Sequence, residues 1–299
     1  MSKIQKKVWL IRICLIGSAI SFYLLIFSLN HVYSNKPPYP LVISMHDRKT
    51  NHVEHRPISH RFSNFIQRRS TIKWCHNLSF LNPKGPITAL ASFPGSGNTW
   101  VRYLIQQLTG IFTGSIYIDY DLMKNGFPAE NVKDGSVIVV KTHLLPYKSK
   151  TTYDRVVLLV RDPYESLLAE FNRQNGGHIG HASTSNYRSI QWLKYVVDSA
   201  PSWSKFYTSW FNSFSESDHH VIFYSDLKRD LRTELVKLGK FLLQSDFSIK
   251  MLDCVMSRKD GKFKRAKKKI NFPIFNQIMN TTIESEKQKV LKLFQKDTL

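Results

Sequence analysis

A turn built from small and polar residues lies within residues 91–104, ASFPGSGNTWVRYL, after an apolar run and before a helical pattern. Such a turn between a strand and a helix brings main-chain N–H groups and the positive helix end to one point, where they bind anions. A simple helix cap needs only one Ser, Thr or Asn, so this run of small and polar residues favours a phosphate-binding loop. Its candidate ligands are Gly95, Ser96, Gly97, Asn98 and Thr99.

The loop differs from the loops of nucleotide triphosphatases and kinases. Those proteins carry G-x-x-x-x-G-K-[ST], in which a lysine reaches the β- and γ-phosphates, whereas here Gly97 is followed by Asn98 and no lysine enters the loop. No acidic strand end is suited to hold Mg²⁺, because Asp162 stands behind Arg161. A P-loop kinase therefore remains only an alternative. Since no CxxC or His/Cys spacing is present, we predict no metal site.

The elements that would position this loop alternate along the chain from residue 86 onward. Nearly unbroken runs of Val and Ile are typical of strands buried on both faces of a parallel sheet, and the stretches between them have helical periodicity. Alternation of this kind predicts an α/β fold with a mostly parallel sheet flanked by helices. The strands are predicted at residues 87–93, 137–141, 156–160 and 221–224, and the helices at 100–108, 164–171, 190–197 and 227–243.

Four segments in this order resemble sulfotransferases that use 3′-phosphoadenosine 5′-phosphosulfate (PAPS). SFPGSGNTW resembles their 5′-phosphosulfate loop, which reads PKSGTTW in cytosolic members, and VVKTHLLP resembles the strand and turn that present a catalytic histidine. VVLLVRDPYESLLAEF resembles the unit whose arginine binds the 3′-phosphate, and VIFYSDLKRDL the strand whose tyrosine lies near the adenine. The likeness covers roughly residues 87–264 and implies a P-loop-like sulfotransferase fold.

The resemblance is greatest to the sulfotransferase domain of WSC-domain-containing (WSCD) proteins. These proteins have near-identical counterparts of ALASFPGSGNTWVRYLI and YESLLAEFNR, although their cysteine-rich WSC modules are absent from this sequence. The resemblance implies that Trp100 and Tyr224 lie near the adenine, with core positions as the alternative for both. It implies that Arg161 binds the 3′-phosphate, with an ion pair to Asp162 or Glu165 as the structural alternative.

Ser166, Arg258 and Lys259 are weaker matches to ligands of the 3′-phosphate. The serine of the family stands eight residues after the arginine, a position that Ala169 occupies here. RKDGKFKR, which begins at Arg258, departs from the Arg-Lys-Gly pattern of the family. GGHIGH at residues 176–181 is interpreted either as an acceptor loop or as a helix cap.

His143 matches the general base of the family, and Lys141 lies two residues earlier on the same face of the strand. In-line sulfuryl transfer resembles phosphoryl transfer: negative charge builds on the leaving oxygen, and the acceptor hydroxyl must lose its proton. A neutral imidazole can take that proton near pH 7. Cytosolic members place a lysine that stabilises the leaving oxygen where this chain has Gly95. The candidates for that role are Lys141, Arg102 and the backbone donors of the loop alone, and we expect Lys141 to take it.

Residues 8–29 form an apolar segment preceded by three lysines, and residues 13–29 carry no charge. The segment is longer than a signal-peptide core of ~7–15 residues and close to the ~20 residues that cross a bilayer. We therefore predict an uncleaved signal-anchor, with a cleaved signal peptide as the alternative. The basic flank predicts a cytoplasmic tail at 1–7 and a luminal body, with a stem at 30–84 and the sulfotransferase domain at 85–299. This is a single-pass type II arrangement, which we place in the Golgi membrane.

A luminal body bears on the cysteines and on two sequons. Because Cys14 falls in the predicted anchor, Cys75 and Cys254 are the only possible luminal pair, either as a disulfide or as two buried thiols. Asn77 and Asn280 each begin an N-x-[ST] sequon and are predicted glycosylation sites.

The net charge of +21, from 43 Lys and Arg against 22 Asp and Glu, favours an anionic partner. The basic run at 258–269 is expected to be solvated, and the luminal compartment argues against nucleic acid as a partner. We expect transfer of a sulfuryl group from PAPS to a glycan hydroxyl, and the resemblance implies sialic acid as the acceptor. The alternatives are a non-catalytic glycan- or nucleotide-binding protein of the same fold and a P-loop kinase.

Overall fold

A computed structural model describes residues 72–244, 249–266 and 268–299. The predicted tail, the signal-anchor at 8–29 and most of the predicted stem lie outside the described residues. Of the helices in the described part of the chain, none is long and apolar enough to cross a bilayer. The description therefore covers nearly all of the predicted sulfotransferase domain.

In the described part of the chain, five parallel strands form one sheet. They are β1 (Thr88–Ser92), β2 (Gly114–Ser115), β3 (Val140–Thr142), β4 (Arg155–Val160) and β5 (His219–Phe223). Their spatial order is β2-β3-β1-β4-β5, and Ala89 of the central β1 pairs with Val140 on one side and Val156 on the other. All carboxyl ends meet at one edge of such a sheet, which is where α/β proteins bind ligands. The predicted mostly parallel sheet is confirmed.

Helices cover both faces of the sheet. Within the described residues they are α1 (Asn98–Thr109), α2 (Tyr120–Lys124), α3 (Pro163–Gly176), α4 (Thr184–Tyr187), α5 (Ile190–Phe211), α6 (Tyr224–Arg229), α7 (Leu231–Leu243), α8 (Ile249–Ser257) and α9 (Gln277–Phe294). Leu90 and Val157 face the core formed with α1, α7 and α8, and Ala89 and Val156 face the core formed with α3, α5 and α9. The alternation of strand side chains thus builds one apolar core on each face.

The helices beside the predicted loop have recognisable ends. Gly110 ends α1 with a φ of 68°, as expected for a left-handed cap. Asp162 caps α3 by accepting hydrogen bonds from the N–H groups of Tyr164 and Glu165, and Pro163 occupies the first turn. The carboxylate of Asp162 is therefore used in the helix start.

The strands differ from the prediction at three main places. β3 begins at Val140 rather than at residue 137, and β2 was not predicted because two residues carry no periodic signal. The fourth predicted strand ends at Phe223, because Tyr224 begins α6.

The helices differ as well. α5 continues past residue 197, through Pro201, to Phe211, because it buries Trp203, Tyr207 and Trp210 in the core, and this packing outweighs the cost of an interior proline. The predicted helix at 227–243 lies instead in α6 and α7, which Asp230 separates, since its carboxylate caps the second of them.

A disulfide joins Cys75, which precedes β1, to Cys254 in α8. The sequence had left open whether these cysteines are bonded. In the structure the two cysteines form a disulfide. This bond ties the segment before β1 to α8.

Candidate active site

The loop between β1 and α1 leads into the helix without a side-chain cap. Gly95 and Gly97 have φ angles of 79° and 94°, a left-handed conformation that other residues rarely adopt. Among the described residues, no acceptor faces the main-chain N–H groups of Gly95, Gly97, Asn98 and Thr99, whereas the Ser96 N–H is bound within the loop. Free N–H groups at a helix start attract an anion. The loop geometry therefore suits a phosphate.

Both glycines are closely covered by their neighbours. A Cβ atom on Gly95 would lie 2.2 Å from the carbonyl oxygen of Ser166, and a Cβ atom on Gly97 would lie 2.8 Å from a ring carbon of Tyr224. Contacts this short do not occur for real Cβ atoms. A lysine at the Gly95 position, as in the cytosolic sulfotransferases, has no room in this loop.

Two polar side chains of the loop, those of Ser96 and Asn98, form hydrogen bonds within the protein. The Ser96 hydroxyl is buried 3.2 Å from the hydroxyl of Tyr207, and the Asn98 amide donates to the Leu90 carbonyl and to the Ser92 hydroxyl, both at 3.1 Å. The predicted side-chain donors Ser96 and Asn98 thus hold the loop in shape, and the main chain is left to face a ligand. Tyr207 was missed because its position within an aromatic helix face indicates only a core residue.

His143 follows β3 directly and lies beside the end of β1. Its Nδ1 atom is 2.8 Å from the carbonyl oxygen of Ser92. Because a carbonyl only accepts, Nδ1 carries the proton and Nε2 keeps a free lone pair. Burial, and next the charge of Lys141, lower the pKa of His143 to about 3. The imidazole is therefore neutral, and the ring stacks on Tyr117 with centroids 5.7 Å apart.

Lys141 is buried on β3, on the sheet face that carries α1. It pairs with Leu90 of β1, and its Nζ lies 5.6 Å from the ring centroid of Tyr117. Burial lowers the pKa of Lys141 to about 8, although the carboxylate of Glu130 opposes this effect. The structure thus brings Lys141 and His143 to the same side of the sheet, with Tyr117 beside both.

Arg102, the alternative cation, is excluded from this role by its contacts. Its side chain is fully buried in an ion pair with Glu130, and it donates to the Thr113 hydroxyl and carbonyl, both at 3.0 Å. The guanidinium also lies 4.5 Å from the ring centroid of Phe127. All of its donors therefore stay inside the protein.

Arg161 follows β4 and reaches the loop from the other side. Its Nη1 donates to the Gly95 carbonyl at 2.9 Å, and its Nε pairs with Glu165 at 2.9 Å. The guanidinium lies over the Tyr224 ring, 4.3 Å from its centroid. The ion pair proposed as the alternative for Arg161 is present, and it leaves Arg161 next to the loop. Ser166 is buried, and its hydroxyl donates to the Pro163 carbonyl.

A cavity of about 340 Å³ opens beside Arg161 and Tyr224. Arg161, Lys228 and Arg229 line it together with Asp162 and Glu165. Three cations outnumber two carboxylates in this lining, and Arg161 also donates to the Gly95 carbonyl, so the cavity adjoins the loop and is suited to an anionic group.

Trp100 and the predicted ligands Arg258 and Lys259 meet at the start of α1. Trp100 donates from its indole N–H to the Lys259 carbonyl at 2.8 Å, and its ring meets Tyr224 edge-on at 5.7 Å. The Arg258 guanidinium donates to the Trp74 carbonyl at 2.6 Å. The structure therefore places Arg258 against the segment before β1, with its charge directed to a main-chain carbonyl.

The loop at 176–181 is bound on both sides. Gly177 caps α3, one residue later than Gly176, and His178 pairs with Asp119 at 3.1 Å. Burial raises the pKa of Asp119, but hydrogen bonds from His178 and from the main chain outweigh it and lower the pKa to about 2. Arg265, within the run that was expected to be solvated, donates to four carbonyls between residues 169 and 180. This part of the basic run is therefore an internal brace.

Both predicted glycosylation sites are exposed. Asn77 lies before β1, outside any helix or strand, whereas Asn280 lies within α9. Because sequons are modified in accessible loops, the surroundings of Asn77 suit a glycan better. Within the described residues, no group of three or more His, Cys, Asp or Glu side chains lies close enough together to hold a metal ion.

Known proteins similar to this chain identify its family. A family model for the sulfotransferase domain matches residues 86–246. A WSCD family member of Drosophila pseudoobscura pseudoobscura is 38% identical over 291 residues, which cover 85% of this chain and 91% of the relative. The chain belongs to the WSCD family. A second WSCD family member, from Drosophila melanogaster, is 38% identical over 292 residues with the same coverage of both chains.

The WSCD resemblance predicted from the sequence is thus confirmed, and sulfuryl transfer is the reaction class of the WSCD sulfotransferase domain. A solved structure of mouse sulfotransferase SULT7A1 complexed with PAP is similar at 16% sequence identity, with a TM-score of 0.48. The match covers 69% of this chain and 84% of that chain.

Proposed function

We propose that this chain transfers a sulfuryl group from PAPS to a hydroxyl of a glycan, with sialic acid on glycoconjugates as the first acceptor to test. One observation carries the proposal. The open N–H groups of Gly95, Gly97, Asn98 and Thr99 and the imidazole of His143 lie near the end of β1, because Ser92 contacts the side chains of both Asn98 and His143. An anion-binding loop beside a neutral base is the arrangement that transfer to a hydroxyl requires.

The residues present fit PAPS. The loop offers main-chain donors for the 5′-phosphosulfate, and Thr99 adds a partly exposed hydroxyl. Arg161, at the edge of the cavity, is the candidate for the 3′-phosphate, and Tyr224 and Trp100 supply the nearest aromatic surface for the adenine. Ser166 and Arg258 are used internally, and we therefore assign the 3′-phosphate to Arg161 before either of them.

The chemistry is divided between two side chains. PAPS supplies an activated sulfuryl group whose leaving oxygen belongs to a phosphate. Nε2 of His143 accepts the proton of the acceptor hydroxyl, because Nδ1 is held by the Ser92 carbonyl. Lys141 supplies the positive charge next to the leaving oxygen, since Gly95 offers no side chain and Arg102 is fully paired. A fixed cation in a buried site stabilises charge that develops in the transition state.

The proposed location rests on the sequence of residues outside the described part. We propose that residues 8–29 anchor the protein in the Golgi membrane with residues 85–299 in the lumen. The disulfide between Cys75 and Cys254 supports this proposal, because such bonds persist in oxidising compartments. If the body is luminal, a glycosidase that removes N-linked glycans shifts the mobility of the wild-type chain, and Asn77→Gln abolishes or reduces this shift. A chain whose mobility never changes argues against the luminal placement.

Two measurements test the activity. Calorimetry with adenosine 3′,5′-bisphosphate (PAP) should detect binding, and ³⁵S from labelled PAPS should appear in a sialylated glycan. His143→Ala should keep PAP binding and lower kcat by about 10²- to 10⁴-fold. The control, His219→Ala, removes a histidine at the other end of the sheet and should leave kcat unchanged.

The alternatives give different results. Tighter binding of ATP than of PAP would favour a kinase. PAP binding without any ³⁵S transfer to a panel of glycans would favour a non-catalytic binding protein. No heat with PAP would overturn the proposed function itself.

A further inference from the structure

Arg173 is a half-exposed cation on α3, the helix that packs against the loop at 95–99. A Cβ atom on Gly95 would lie 2.2 Å from the carbonyl oxygen of Ser166 and 2.8 Å from the main-chain nitrogen of Glu170. Residues 166, 170 and 173 stand at i, i+4 and i+7, and therefore share one face of the helix. The helix face that covers Gly95 thus continues to Arg173.

The other end of α3 leads to the residues around the proposed base. His178, two residues after the helix, pairs with Asp119 at 3.1 Å. Asp119 stands two residues after Tyr117, whose hydroxyl accepts a hydrogen bond from the main-chain N–H of His143 at 3.0 Å and whose ring stacks on the imidazole. Arg173, in the last turn of α3, therefore lies between this contact and the loop, on the side of the site where His143 stands.

The charge of Arg173 acts on the same group. Burial lowers the pKa of His143 most, and among the charges that lower it further, Arg173 follows Lys141. Arg173 also contributes to the lowered pKa of Lys141, for which burial is again the main cause. These effects agree with the position that the contacts of α3 define.

The guanidinium of Arg173 is bound along one edge and free along another. Its Nε and Nη2 atoms donate to the two carboxylate oxygens of Glu170 at 2.7 and 2.6 Å. Gln174 donates to the same carboxylate at 3.0 Å, so the buried Glu170 side chain is held in place. No acceptor faces Nη1 among the described residues, and 43% of the Arg173 side chain is exposed. Nη1 and the second N–H of Nη2 form a fork of two donors, the geometry that binds a carboxylate.

The cofactor has donors elsewhere. In the proposed function the 5′-phosphosulfate of PAPS meets the main-chain N–H groups of the loop, and its 3′-phosphate meets Arg161, just before α3. Arg173 lies about 15 Å along the helix axis from the first residue of α3. It is therefore at the opposite end of α3 from Arg161 and near His143, which takes the proton of the acceptor hydroxyl. A free anion-binding edge at this place suits an acidic group on the acceptor.

We propose that Arg173 determines acceptor specificity, by binding the carboxylate of an acidic acceptor sugar with the guanidinium edge that Glu170 leaves free. The inference rests on the proposed function, in which a glycan hydroxyl meets His143. Because Glu170 and Gln174 fix the guanidinium before the acceptor arrives, little side-chain freedom is lost on binding. A planar fork also recognises a carboxylate more specifically than a lysine does.

The test compares two probes, sialyllactose and the methyl ester of its carboxyl group, which lacks the negative charge. An NMR titration of the PAP-loaded protein measures the binding of each probe without any turnover. Wild type should bind the acid about 10- to 100-fold more tightly than the ester, as expected for charge-assisted hydrogen bonds. Arg173→Gln should bind both probes alike, with unchanged affinity for PAP. In the ³⁵S assay its KM for sialyllactose should rise by a similar factor while kcat changes little.

Two further variants sharpen the comparison. Arg232→Gln is the matched control, because Arg232 is 45% exposed and pairs with Asp253 at 2.8 Å but lies on α7. It should keep the full preference for the acid. Arg173→Lys keeps a positive charge for Glu170 but has no fork, so its preference should fall between those of wild type and Arg173→Gln.

The outcomes separate the inference from the proposed function. Equal binding of acid and ester by wild type, or a preference that survives in Arg173→Gln, overturns the inference even where ³⁵S transfer occurs. Loss of PAP binding in Arg173→Gln would assign this cation to the cofactor and overturn it as well. A preference for the acid that Arg173→Gln removes, without any ³⁵S transfer, supports the inference while the proposed function fails. If Arg173→Gln does not fold, an unchanged preference in Arg173→Lys counts against the proposal.

Discussion

Two regions of this sulfotransferase are rich in groups that bind anions, and they use them in opposite ways. In the loop at 95–99, the main-chain N–H groups of Gly95, Gly97, Asn98 and Thr99 have no acceptor among the described residues. In the basic run at 258–269, three cations already donate to main-chain carbonyls. Arg258 donates to Trp74, Arg265 to four carbonyls and Lys268 to Ala182. The difference teaches that unused hydrogen-bonding capacity, rather than density of positive charge, marks a binding site.

The largest expected effect breaks the loop itself. Gly95→Ala places a Cβ atom 2.2 Å from the Ser166 carbonyl oxygen in a left-handed conformation, and main chain cannot yield as a side chain can. We expect a loss of about 3 kcal/mol or more in the free energy of unfolding and loss of PAP binding.

Gly177→Ala is the control for this change. Gly177 has a φ of 72° and a ψ of −163°, but a Cβ atom there would have no neighbour within 4 Å, so only the conformational cost of about 1–3 kcal/mol remains. Chemical denaturation and calorimetry measure both variants. Equal losses in the two would show that close packing of the loop is unimportant.

Removal of the disulfide should affect stability without affecting the loop. Cys254→Ser opens a loop with a sequence separation of 179 residues, and we expect the free energy of unfolding to fall by about 2–4 kcal/mol. PAP binding by the folded variant should persist, because the loop at 95–99 is not tied to this bond. Denaturation of wild type with and without reductant should reproduce the loss, and a variant that folds normally yet fails to bind PAP would contradict the distinction.

A smaller effect is expected for the brace in the basic segment. Arg265→Met removes donors from four carbonyls and should cost about 1–3 kcal/mol, with little change in PAP affinity. Lys264→Met is the control, because Lys264 is exposed and pairs only with the exposed Asp260, so its effect should stay within about 0.5 kcal/mol. A variant at Arg265 that is stable but has lost PAP would assign this cation to the ligand instead.

The smallest effect concerns the support of the loop. Tyr207→Phe removes the hydroxyl that contacts Ser96 and donates to the Leu159 carbonyl, and should cost about 1 kcal/mol with a modest loss of PAP affinity. Tyr120→Phe removes an exposed hydroxyl and should leave the melting temperature unchanged. If the two variants melt alike, Tyr207 does not hold the loop.

The sequence predicted the parallel sheet, the loop and its two glycines, because these depend on local patterns. It did not predict which way side chains turn. Ser96 and Asn98 were expected to face the ligand, but they face Tyr207 and Ser92. Ser96 is directed by Tyr207, 111 residues further along the chain, and Asn98 by the end of β1, onto which the loop folds back. Periodicity reveals neither contact.

The basic run shows the same limit. Its composition suggested a solvated tail, yet Arg265 folds under residues 169–180 and donates to partly buried carbonyls there. The buried pair of Arg102 and Glu130 was missed for a related reason. Each residue, taken singly, is typical of a protein surface, and only the fold brings the two together.

The carbonyl of Ser92 fixes the imidazole of His143, and Ser92 is also the last residue before the turn into the loop at 95–99. One stretch of backbone, from Ser92 into the loop, therefore sets the spacing between the proton acceptor and the anion site. The segments around His178 and Tyr120 are not part of this stretch. Substitutions in those segments should therefore leave the distance between the His143 imidazole and the loop unchanged.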